Sequence, residues 1–355
     1  MQRKSLIKSL ALGAKTLALL ATALFLSACQ KEPQQVAFDG KTMGTTYHVK
    51  YIDDGKVANL PKPEEVKAQL ETLLKEVNNQ MSTYQKDSQI SQFNQMKEAN
   101  KAVQIAPDFA KVVAEAIRLN GVTEGALDVT VGQLVNLWGF GPDKRLNKVP
   151  SEEQIAERSQ SVGIDKLVLD QTASTLAKTA PELYLDLSAI AKGFGVDKLA
   201  EQLESLGLEN YLVEIGGELR GKGKNLAGKG WQIGIEKPEM AQGQGSQVTV
   251  TLNNLAMATS GNYRNYFEDE QGNRLSHIID PKQRRPISHN LASITVLAPT
   301  TMTADGLSTG LFVLGTEKAL EVAEREKLAV FLIIKTDKGF ETKMSSEFEK
   351  LLENK

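Results

Sequence analysis

The sequence predicts an α+β fold, with mixed, largely antiparallel sheets flanked by helices. Two observations carry the prediction. Segments with the two-residue alternation of half-buried strands fall in clusters. Segments with apolar residues three and four positions apart separate those clusters, without the strict strand–helix alternation of a doubly wound sheet.

Residues 45–51 are rich in β-formers and alternate, which predicts a strand; His48 lies within it and reads as structural. Residues 64–81 set Val66, Leu70, Leu73, Leu74 and Val77 on one face of a helix, and 109–119 repeat the pattern. Ser151 with Gln154 forms a capping box that opens a helix to about 162. Residues 183–187 read as a buried strand and 192–206 as a helix. Residues 211–215 predict a strand that ends on Gly216 and Gly217. Residues 231–236 and 247–252 alternate and can pair across 238–246, where the low-complexity run 241–246 makes a hairpin tip or surface loop. Residues 291–297 and 328–334 predict apolar strands, with helices over 302–314 and 317–326 between them.

The start of the chain has a different character. Arg3, Lys4, Lys8 and Lys15 precede an apolar run over 17–26, too short for the roughly 20 residues of a membrane span. The run ends Leu26-Ser27-Ala28-Cys29, which resembles the lipobox of bacterial lipoproteins. The expectation is a signal peptide over 1–28, a lipidated tether over 29–38 starting at Cys29, and one globular domain over 39–355. An uncleaved anchor or an ordinary signal peptide is the alternative. Cys29 is the only cysteine, so the chain is expected to form no internal disulfide. Removing four positive and no negative charges takes the net charge from −2 to −6. An acidic body without a basic run excludes nucleic acid as the expected partner. The three histidines are scattered, so no zinc-type cluster is expected.

Several stretches can carry chemistry. Residues 185–195 run from Asp186 through a small-residue turn to Lys192, Gly193 and Gly195. A helix starting there would offer free N–H groups to phosphate oxygens, with Lys192 adding charge; otherwise Asp186 caps the helix and the glycines permit close packing. The spacing is not that of a P-loop. Glu214-Ile215-Gly216-Gly217 lets a backbone approach a ligand or simply turns. Ser276-His277-Ile278-Ile279-Asp280-Pro281 brings a histidine near the arginines at 284 and 285, fit for a phosphoryl centre or for a hydrogen-bonded core position. Thr259 through Arg264 offers hydroxyls and a guanidinium for an acidic ligand. Asp305 and Thr309, four apart, share a helix face and can bind Mg²⁺; otherwise Asp305 caps and Thr309 bonds back to it. Ala126, Leu127 and Asp128 after Gly125 could turn a backbone toward a ligand, and Tyr84 at the end of 81–84 offers a face to a flat ring.

Taken in order, these stretches resemble the FAD:protein FMN transferase family, the ApbE flavin transferases. The likeness runs from about residue 38 to the end, through Met43-Gly44-Thr45, 81–84, 126–128, 186–195, 214–217, 260–264, 276–281 and 304–309. It implies an ApbE-like fold with a FAD-binding cleft and transfer of FMN from FAD to a threonine hydroxyl of a client protein, releasing AMP. Mg²⁺ would sit on Asp305, Thr309 and the carbonyl of Ala189. FAD would meet Met43, Tyr84, Ala126, Leu127, Asp128, Asp186, Lys192, Gly216, Gly217, Ser276, His277 and Ile278, with His277 and Lys192 nearest the chemistry.

The implied partners are clients bearing Asp-Gly-x-x-(Ser/Thr)-Gly-Ala-Thr, such as subunits of sodium-pumping NADH:quinone reductase or Rnf-type complexes. The implied location is the bacterial cell envelope, lipid-anchored to a membrane and facing the periplasm. Residues 305–310 imitate the client pattern, but Leu311 and Phe312 stand where Ala-Thr should be, so no self-flavinylation is expected there. A FAD pyrophosphatase, or a flavin-binding lipoprotein without chemistry, would use nearly the same residues. A solute-binding lipoprotein for a transporter lacks support, since no two-lobe pattern is visible.

Overall fold

Eight strands form a central sheet, and their order across it is their order along the chain. They are β1 (Gln34–Thr42), β2 (Thr45–Asp53), β3 (Tyr211–Ile215), β4 (Glu218–Lys222), β5 (Leu255–Gly261), β6 (Leu291–Ala298), β7 (Ala329–Thr336) and β8 (Gly339–Met344). Each pairs antiparallel with the next. Three of the joints are two-residue hairpins, and two of these have left-handed backbone at both linking residues. Met43 and Gly44 link β1 to β2 with φ of 48° and 74°, and Gly216 and Gly217 link β3 to β4 with φ of 58° and 103°. Left-handed backbone at both central positions matches the twist that such hairpins need.

The computed structural model describes residues 32–142, 149–235, 248–262, 266–268 and 274–353. Cys29 and the segment 1–28 lie outside them, as do the tip 238–246 and Arg264. Among the described residues no helix is long and apolar enough to cross a membrane.

Among the described residues the four longest helices are α1 (Pro63–Met81), α2 (Pro107–Val122), α3 (Ala191–Ser205) and α4 (Thr301–Arg325). The alternation of β2 turns Tyr47, Val49 and Tyr51 inward, where they pack on Val66, Leu70 and Leu74 of α1 and on Val196, Leu199 and Leu203 of α3. Strand β6 is buried at all eight positions because both its faces are covered. On one side Ile294 and Val296 join Leu307, Leu311 and Phe312 of α4. On the other, Ala292 and Leu297 join Trp231, Val250 and Leu252 of a hairpin, and Phe348 of the helix Ser346–Glu353. Full burial of each such aliphatic side chain contributes about 1.5–3 kcal/mol.

Most predicted elements stand close to where their patterns put them. Strands Trp231–Ile235 and Val248–Leu252 pair antiparallel, and Ser151 and Gln154 make the capping box. The two helices over 302–314 and 317–326 are one run broken at Gly315, whose φ of 74° and ψ of 179° are not helical.

Three readings are corrected. The tether is shorter than expected, because Gln34 through Phe38 already belong to β1, where Val36 and Phe38 pack on the α1–α3 core. Residues 183–187 are extended but join no sheet; Tyr184 bridges Val131, the Asp186 N–H donates to the Val129 carbonyl, and Leu185 is held by a side chain. Asn94 donates to the Leu185 carbonyl at 2.8 Å and accepts from its N–H at 2.7 Å. The helix opened by Ser151 ends at Ser159.

Helices α3 and α4 cross so closely that only glycine fits at 193. A Cβ there would overlap the Thr301 carbonyl oxygen and come within 2.7 Å of the Asp305 Cβ. Gly193→Ala is expected to destabilise the fold by about 1–3 kcal/mol through overpacking, read as a lower midpoint in chemical denaturation.

Candidate active site

A cleft of ≈ 530 Å³ opens where the β3–β4 hairpin, the end of β5, the first turn of α3 and the first half of α4 meet. Tyr84, Ala126, Leu127, Asp128, Asp186, Ala189, Lys192, Gly216, His277, Ile278, Asp305 and Thr309 all line it. Met43, Gly217 and Ser276 do not. Met43 packs against Gly195, where an added Cβ would come within 2.8 Å of its Cε. The Gly217 N–H donates to Glu214 Oε1 at 2.6 Å, and Ser276 Oγ accepts the Ile278 N–H at 3.2 Å. Gly217 is exposed on its hairpin.

Local hydrogen bonding explains how the wall is presented. The Asp186 carboxylate accepts both the N–H and the hydroxyl of Ser188, so it closes a turn instead of capping α3. The Asp186 N–H is held by the Val129 carbonyl at 2.8 Å. Asp128 closes a similar turn on Thr130; burial pushes its carboxyl up, and those hydrogen bonds oppose the shift.

The start of α3 has no side-chain cap of its own. Its Gly193 N–H donates instead to Asp305 Oδ2 of α4, at 2.8 Å. In return Asp197 of α3 accepts the first N–H groups of α4, from Thr301 at 2.9 Å and Met302 at 2.8 Å. Arg220 of β4 bonds Asp197 at 3.0 Å. The two helices cap each other, and each carboxylate meets the positive end of its partner's dipole.

Asp305 therefore sits within its helix, not at the cap, which is Thr300. Its Oδ1 lies 3.6 Å from Lys192 Nζ, which is 3.0 Å from Glu218 Oε1. Asp305 and Glu218 are buried, and Glu218 Oε2 has no hydrogen-bond partner among the described residues. Burial works against the charge on Lys192, but Asp305 and Glu218 outweigh it and hold the ammonium above the ordinary lysine range. One ammonium cannot neutralise two buried carboxylates. Burial pushes Glu218 up to about 8 despite Lys192, with the Asp305 charge adding to the rise. Burial raises Asp305 as well, against the pull of Lys192 and the Gly193 N–H.

One turn on from Asp305, the Thr309 hydroxyl lies 3.3 Å from Ser260 Oγ, which is 2.9 Å from Ser308 Oγ. A carboxylate, a hydroxyl and the backbone at Ala189 on one wall are hard oxygen donors, too few to enclose an ion. That set suits Mg²⁺, which keeps waters or substrate phosphate oxygens as its remaining ligands. The lining also holds an apolar group, Val131, Val135, Phe140, Ile278 and Ile279. His277 lies in the bend between Ser276 and Ile279, with its ring edge-on to Phe140 at 6.5 Å between centroids.

The ApbE family model matches residues 43–332, a span that takes in the whole cleft lining. The chain belongs to the ApbE family. A Haemophilus influenzae relative, named FAD:protein FMN transferase, is 61% identical over 338 residues, covering 95% of this chain and 97% of its own. The solved flavin transferase ApbE of Vibrio cholerae is 49% identical with a TM-score of 0.82, over 90% of this chain and 99% of that one. The Pseudomonas stutzeri flavinyl transferase ApbE, solved in its apo form, is 39% identical with a TM-score of 0.83, over 91% and 98%.

Sequence reasoning stopped one residue short of Glu218. Its only signal was an acid at an inward position of a strand straight after the paired glycines. The apolar group at 131, 135 and 140 was also missed, because it is spread over the cap of a short helix, the helix itself and the loop after it.

The Glu218 shift has a sign that can be checked. Between its ordinary 4.5 and about 8 the folded state keeps a proton that the unfolded state has released. Stability therefore falls as pH rises through that window and levels above it. Glu218→Gln is expected to flatten the slope, measured by chemical denaturation from about pH 5 to about pH 8. An unchanged slope would assign the proton to another group.

Proposed function

We propose that this chain transfers FMN from FAD to a threonine hydroxyl of a client protein and releases AMP. One observation carries the reading: one cleft lining combines an apolar group around Phe140 with Lys192, Asp305 and Thr309. A flavin ring suits the apolar group and Tyr84, and a pyrophosphate suits the polar set. The family to which the chain belongs, and its likeness to the Haemophilus influenzae FAD:protein FMN transferase, support the same chemistry.

In this reading the client's Oγ attacks the phosphorus on the FMN side. The new P–O bond forms as the bond from that phosphorus to the bridging oxygen breaks, and AMP leaves with the bridging oxygen. The hydroxyl proton passes to His277, which lines the cleft. Lys192 faces the phosphate oxygens and offsets their charge. Mg²⁺, held by Asp305, Thr309 and the Ala189 carbonyl, would supply further charge neutralisation on the pyrophosphate. Splitting a pyrophosphate asks for positioning and charge compensation more than for a covalent nucleophile.

The acceptor belongs to another protein, one carrying Asp-Gly-x-x-(Ser/Thr)-Gly-Ala-Thr, as in the sodium-pumping and Rnf-type complexes that the family resemblance implies. The chain's own imitation of that pattern lies inside α4, with Leu311 and Phe312 buried where the acceptor would be. We place the protein at the bacterial cell envelope, lipid-anchored through Cys29 and facing the periplasm. The signal-like start supports this, and so does the position of β1, which begins just behind that cysteine.

The test is a mass spectrum of a peptide bearing the acceptor pattern after incubation with purified protein, FAD and Mg²⁺. We expect one added FMN on the last threonine, lost when the metal is chelated. Free FMN and AMP beside an unmodified peptide would make the protein a FAD pyrophosphatase. Intact FAD would make it a flavin-binding protein.

A further inference from the structure

Asp305 has two claims on a single free oxygen. Its Oδ2 is committed to the Gly193 N–H. Its Oδ1, the oxygen left for a metal, already lies 3.6 Å from the Lys192 ammonium. A divalent cation on Oδ1 and an ammonium beside it repel each other, and burial leaves little solvent to screen them.

Lys192 is confined. It is anchored in the first turn of α3, and Glu218 holds its Nζ at 3.0 Å from the start of β4. The Glu218 side chain is only 5% exposed, whereas that of Lys192 is 29% exposed. The lysine therefore opens toward the cleft that both residues line, where phosphate oxygens of a dinucleotide would lie.

We propose that Lys192 is a resident counter-cation of Asp305 that holds divalent-metal affinity low until the donor's pyrophosphate draws the ammonium away, so that metal and FAD bind cooperatively. The inference rests on the reading of Asp305 and Thr309 as metal ligands. It runs against the ordinary expectation for a binding-site residue, whose removal weakens every ligand. Here, removing a positively charged side chain tightens one ligand and uncouples it from the other. Coupling of this kind is reciprocal, so the metal must tighten FAD by the same factor.

The experiment is a Mn²⁺ titration of the full chain in detergent, by calorimetry, with and without saturating FAD. Lys192→Gln is expected to bind Mn²⁺ about tenfold or more tightly than the wild type without FAD, and to lose most of the FAD-induced tightening. Lys192→Arg, which keeps the charge, is expected to restore wild-type behaviour. Wild-type binding with equal or weaker binding in Lys192→Gln overturns the proposal and leaves the metal reading intact. No Mn²⁺ binding in any form, with FAD present, overturns both. Glu218→Gln and the double variant Lys192→Gln/Glu218→Gln repeat the comparison with one buried carboxylate fewer, in case Lys192→Gln alone does not fold. The same tightening is expected between those two, and its absence counts against the proposal.

Discussion

The reciprocal capping of α3 and α4 is the constraint on which the cleft depends. Neither helix satisfies its own N-terminal amides within its first turn alone. Asp305 reaches from α4 to Gly193, and Asp197 reaches from α3 to Thr301 and Met302. Buried amides left without partners are expensive, so the two ends are locked at one distance and angle. Gly193 is the steric counterpart, since any side chain there would push the crossing apart. Once the crossing is fixed, Lys192, Asp305 and Thr309 face one cleft without further adjustment.

The same lock gives Asp305 a dual character. It is a structural cap through one oxygen and a candidate metal ligand through the other. A carboxylate that must stay buried to hold two helices together cannot be optimised for solvation, and burial raises it accordingly. Lys192 and Glu218 form the compensating surroundings. Glu218 prefers its proton because it is buried, and the one ammonium beside it is shared with Asp305. Charge here is balanced among three groups, which is why the cleft responds to the arrival of cations and phosphates as a unit.

Elements with strong periodicity were legible in the sequence. The stripe Val66, Leu70, Leu74 dictated α1, the alternation around Tyr47 dictated β2, and the break at Gly315 separated two helical patterns. What escaped was hydrogen bonding across long chain distances. Residues 183–187 looked like a strand because they are extended and apolar, but Leu185 is held by Asn94, 91 residues away. Residues 34–38 looked like a tether because polar side chains surround Val36 and Phe38, which only the β1–β2 register turns inward. For the cleft, the resemblance named most of the lining, while Met43, Gly217 and Ser276 are outside it. Glu218 acquires meaning only beside Lys192, and no local pattern announces a buried acid whose partner lies on a different element.

The central claim is that Asp305 serves chemistry and not merely the binding of a flavin dinucleotide. Asp305→Asn separates the two, because an amide oxygen still accepts the Gly193 N–H while the negative charge is lost. The decisive measurement is the single-turnover rate of FMN transfer beside the Kd for FAD, read from flavin fluorescence. The account predicts a Kd, read without divalent metal, within a few-fold of the wild type and a rate with metal lower by about 10²-fold or more. A rate that survives with the charge removed would contradict it.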